Sequence, residues 1–66
     1  MRREELYLAD IVEAADAIAE FVRGVRLEVF ENDDLLQSAV LLKLIMIGEA
    51  AARLPAEFTA RHGEVE

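Results

Sequence analysis

Arg61-His62 is the only adjacent pair in this chain that could contact a phosphate and also move a proton. Imidazole titrates near neutral pH and serves as acid or base. The same two residues also suit the end of a short surface helix, where positive charge favours the free carbonyls. Carboxylates are the other abundant chemistry. Glu13, Asp16 and Glu20 share a face at helical spacing, with Asp10 adjoining it. Such a face could hold a divalent cation through oxygen ligands, or it could simply be solvated. Nucleophilic catalysis lacks its parts. There is no cysteine, and the hydroxyls are Ser38, Thr59 and Tyr7. Ser38 and His62 sit at opposite ends of a helical stretch of about 30 Å, too far to meet within one chain. One histidine without cysteine makes no transition-metal site. The three glycines are scattered, so no phosphate-cradling loop exists, and the Glu-x-x-His pair of di-iron bundles is absent. No cofactor is expected.

The elements that would position these residues are helical. Leu8, Ile11, Ala15, Ile18 and Val22 recur at steps of three and four, with Ala14 and Phe21 widening the stripe. Glu4, Glu5, Glu13, Asp16 and Glu20 lie mainly off it. This predicts a first long helix over residues 3–22, ended by Gly24. Leu27 and Phe30 suggest one helical turn covering the end of a hairpin. Any of Asn32, Asp33 and Asp34 can cap the next helix.

The second long helix is expected over residues 34–54. It differs in kind, because Leu35, Leu36, Ala39 to Leu42 and Leu44 to Ile47 occupy almost every angular position. A helix apolar all round is buried all round, yet one facing helix covers one stripe. Gly48, Ala51 and Ala52 supply little bulk and suggest close helix–helix approach. Leu36, Val40, Leu44, Ile47, Gly48 and Ala51 are therefore the candidates for helix packing or dimerisation. Pro55 is expected to end this helix, with a short helix from Ala56 to His62 closed by Gly63.

Composition sets the frame. Sixty-six residues make one domain, all-α, built as an antiparallel helical hairpin of two long helices plus short helical turns. Disulfides and metals are unavailable as reinforcement, which leaves oligomerisation or a partner. A net charge of −7 argues against a general nucleic-acid surface. The longest apolar run, Ala39 to Ile47, is broken by Lys43 and falls short of the roughly 20 residues that span a bilayer. No secretory signal precedes it. A cytoplasmic chain without membrane contact is expected.

Tyr7-Leu8-Ala9-Asp10-Ile11-Val12-Glu13-Ala14, Gln37-Ser38-Ala39-Val40, Ile45-Met46-Ile47-Gly48-Glu49-Ala50-Ala51, Leu54-Pro55 and Ala60-Arg61-His62 occur in an order and spacing that resembles the N-terminal part of HepT-like HEPN-domain proteins. The resemblance covers nearly the whole chain. It implies a helical, dimeric bundle. It also implies an RNA-cleaving toxin of a toxin–antitoxin pair whose cognate antitoxin, a minimal nucleotidyltransferase, modifies a tyrosine beside the active site. Catalysis in that family is metal-independent, with the RNA 2′-OH as nucleophile. It uses an arginine and a histidine four to six residues apart, with the tyrosine shortly after.

The chain departs from that pattern. Pro55, Ala56 and Glu57 stand where the arginine partner of His62 would be, Arg53 is too distant and Arg61 is adjacent. Gly63 replaces a usual proline. No catalytic residue is carried over, and Arg61 and His62 remain weak RNA-contact candidates. Two expectations follow. The chain is a single domain over residues 1–66 lacking the family's C-terminal helices, inactive alone and meeting RNA only with the missing part. Alternatively it is a non-catalytic helical dimerisation module. Purified chain incubated with single-stranded RNA in chelator is expected to leave it intact. Cleavage abolished by His62→Ala would overturn this.

Overall fold

The computed structural model describes residues 2–61, with side chains for residues 2–54. Three helices follow one another: α1, Arg3–Val22; α2, Leu27–Phe30; and α3, Asp34–Arg61. No strand occurs among the described residues. α1 and α3 pack along each other as an antiparallel hairpin, and α2 closes the turn.

Local chemistry sets each boundary. The backbone N–H of Arg2 donates to Glu5 Oε1 at 3.2 Å, tying down the start of α1. Gly24 takes φ +70°, a left-handed conformation that costs glycine little and stops α1. Arg23 pairs with Glu20 in the last turn, on an exposed surface where such pairs contribute little. Asp33 is the residue that caps α3: its Oδ1 accepts from Leu36 N–H at 2.9 Å. The Gln37 side chain donates to the carbonyls of Phe30 at 2.8 Å and Glu31 at 3.0 Å. It thereby ties α3 to the end of α2. Phe30 is half-buried at the end of the hairpin, whereas Leu27 is exposed and does not cover it.

Three expectations shift. First, α3 does not stop at Pro55 but continues to Arg61. Proline's fixed φ is itself helical. The ring removes one hydrogen bond, and good helix formers stand on both sides (Ala50 to Arg53, then Ala56 and Glu57). Second, the contact face of α1 is rotated from the expected stripe. Tyr7, Ile11, Ala14 and Ile18 turn inward while Leu8 and Ala15 are exposed. Ala14 on α1 and Ala50 on α3 are the buried hydrophobics among the described residues, and Ala50 lies beside Tyr7 and Asp10 of α1. Third, Glu4 is buried and makes a polar interaction, although its acidity suggested a solvated position. Its place one turn before Tyr7 puts it on the contact row.

The inward row of α3 runs Leu36, Val40, Lys43, Ile47, Ala50 and Leu54. Lys43 is half-buried within it, a position where a long aliphatic stem covers apolar surface and the ammonium reaches water.

The hairpin is thin. It extends 48 × 20 × 16 Å with a Cα radius of gyration of 15.4 Å, against about 11 Å for a compact chain of this length. Its accessible surface is 5185 Å², where a folded monomer of 7.4 kDa has roughly 4,200 Å². The surplus of about 1,000 Å² is surface that a compact monomer of this mass would hide. Asp33→Ala is expected to destabilise the fold by about 1 kcal/mol through loss of the α3 cap, read as a lower denaturant midpoint with unchanged slope.

Candidate functional site

The feature with functional content is the outer surface of α3. Leu41, Leu42, Leu44 and Ile45 are each about half accessible, at 57%, 55%, 52% and 49%. Of the packing candidates, Leu36, Val40 and Ile47 lie half-buried on the row against α1. Leu44, Gly48 and Ala51 are exposed, one above another at steps of four and three. A Cβ built on Gly48 would meet nothing within 4 Å. Contact between α1 and α3 therefore does not require this glycine.

Successive helical residues turn by about 100°. With both inward rows fixed, Leu44, Gly48 and Ala51 fall on the same flank of the hairpin as Leu8 and Ala15 of α1. That flank is apolar and low in bulk. The opposite flank carries a shallow mixed groove lined by Tyr7, Asp10, Met46, Glu49, Ala50 and Arg53. Sequence inspection missed this groove because it depends on the register between two helices. The only available signal was that Asp10 and Arg53 both sit just beside their helices' inward rows.

The acidic face of α1 gathers no metal site. Among the described residues no three of His, Asp and Glu are placed to hold an ion together. Asp10 turns towards the mixed groove, while Glu13 and Asp16 point to the outer side. Arg61 closes α3, its side chain lying outside the described residues, as does the whole of His62.

Charge divides between the two long helices. α1 carries Glu4, Glu5, Asp10, Glu13, Asp16 and Glu20 against Arg3, six minus one, a net −5. α3 carries Asp34, Glu49 and Glu57 against Lys43, Arg53 and Arg61, a net of zero. The apolar helix is thus the neutral one. By length and composition Asp34–Leu54 would suffice to cross a membrane. Lys43 near its middle opposes that, since a charge at the bilayer centre costs roughly 3 kcal/mol on insertion scales. The packing of α1 along one face opposes it too.

The family model described as "Ribonuclease HepT-like" matches residues 11–65. A protein of Thermococcus cleftensis named "Probable ribonuclease HepT" is 41% identical over 64 residues, 97% of this chain and 58% of the relative. A protein of Caldanaerobacter subterraneus subsp. tengcongensis named "Putative RNase" is 35% identical over 65 residues, 98% of this chain and 58% of the relative. The chain thus spans about 58% of the length of these curated relatives. No solved structure gives a significant match.

Millimolar Mg²⁺ or Mn²⁺ is expected to leave the thermal midpoint of the chain unchanged. A rise of several degrees that Glu13→Gln removes would show that the acidic face binds cations after all.

Proposed function

The chain belongs to the ribonuclease HepT-like family, and from that premise we propose that it is the N-terminal, non-catalytic portion of a HEPN ribonuclease toxin of a toxin–antitoxin pair. In this reading the complete protein cleaves RNA without a metal, in the cytoplasm. The arginine, histidine and tyrosine of the site come from sequence beyond the region described here. The contribution of residues 1–66 is scaffold: α1 and α3 form part of a helical bundle, and the exposed Leu44, Gly48 and Ala51 row of α3 is its contact with a second copy.

The observation that carries the proposal is the pairing of a family match with an uncovered apolar helix. The cover on the Leu44, Gly48 and Ala51 row is a second copy of the chain. Standard interfaces bury about 800 Å² per partner, and the surplus surface here is of that size. α3 is electrically neutral, so two copies meeting through it bring no net like charge together. Gly48 and Ala51 allow close backbone approach there, with Leu44 as the larger side chain between them. The cognate minimal nucleotidyltransferase antitoxin is part of the same proposal and rests on family membership alone. The reading as a pure dimerisation module shares the α3 contact and differs only in giving the complete gene product no active site.

Sedimentation of the purified chain at micromolar concentration is expected to give a dimer. Leu44→Glu should weaken association at least about tenfold, while Leu35→Glu, at the fully open start of α3, should not. A monomeric mass with intact helical circular dichroism would rule out the self-association. An effect of Leu35→Glu equal to that of Leu44→Glu would move the contact off the proposed row.

A further inference from the structure

We propose that the outer face of α1 docks a basic amphipathic helical segment of a different protein. The site is centred on Val12 on the outer side of α1, borders the flank of the α3 row only at Leu8, and does not depend on self-association. An open, nearly flat strip runs along the outer side of α1, made by Glu5, Leu8, Ala9, Val12, Glu13 and Asp16. Its floor is apolar: Leu8 and Val12 are 46% and 58% exposed, with Ala9 between them leaving room. Its rim is three carboxylates.

The occupant follows from charge. The strip carries no lysine or arginine, and α1 as a whole carries a net −5. A second copy docking α1 to α1 would set Glu5, Glu13 and Asp16 against their own equivalents, and juxtaposed like charges penalise such a contact. A second copy offering α3 instead would bring a helix with no net charge, leaving the rim unmatched. RNA and anionic lipid surfaces carry phosphate and are repelled by the same rim. A helix with leucines or valines at steps of three and four, flanked by lysines or arginines, satisfies both floor and rim. Its apolar row packs on the strip and its cations meet the three carboxylates.

The probe is a synthetic helical peptide with leucine at every third and fourth position and lysine beside each. It is titrated into the full chain and read by fluorescence anisotropy. A scrambled peptide of the same composition, without the apolar row, serves as the control. Saturable binding is expected, at least about tenfold weaker for the scrambled peptide and weakened by raised salt. Val12→Asp should weaken it at least about tenfold, as should Glu13→Lys combined with Asp16→Lys, both on exposed positions and with wild-type circular dichroism. Leu44→Glu should leave it unchanged, which separates this site from the proposed dimer contact. Equal binding of the scrambled peptide would reduce the effect to bulk charge and overturn the proposal. So would retained affinity in the α1 variants, absence of saturable binding, or loss of binding in Leu44→Glu.

Discussion

The line contact of α1 with α3, which buries Ala14 and Ala50 and half-buries Ile11, Val40 and Ile47, is the contact on which everything else depends. Two helices in line contact can cover one row of each other and no more. Once that row is chosen, the angular position of every other residue is fixed by the 100° step of the helix. Leu41, Leu44 and Ile45 are exposed because Val40, Lys43 and Ile47 are the ones turned inward. The neutrality of α3 and the acidity of α1 then become properties of separate surfaces. One surface is neutral and apolar, and the other acidic.

This constraint also explains why the chain is thin and has much surface for its mass. The row between α1 and α3 is a single line of side chains, in which Ala14 and Ala50 are buried and Tyr7, Ile11, Ile18, Val40, Lys43 and Ile47 are only half-buried. Burial of that row alone is modest.

Much of this was legible in the residues. Gly24 as the end of α1 and an acidic cap before α3 both follow from local chemistry that needs no partner. The all-round apolar character of residues 35–47 correctly marked α3 as under-covered. What was not legible depends on which row the helices choose. α1 has apolar residues over more than half its circumference, so Leu8 and Ala15 competed with Tyr7 and Ala14 for the inward position. Glu4 read as lying off the apolar stripe and Lys43 as a break in the apolar run, yet the register places both on the contact row. Pro55 read as a terminator because its cost is local, whereas the helix continues on the strength of its neighbours.

The central claim is that the free side of α3 is covered in the working protein by a second copy. Its most direct test is the thermal midpoint of the chain as a function of its own concentration. If folding and association are coupled, mass action raises the midpoint as concentration increases from micromolar to hundreds of micromolar, and Leu44→Glu flattens the dependence. A midpoint independent of concentration, with full helical circular dichroism across the range, would mean that the hairpin is stable with α3 uncovered and would contradict the account.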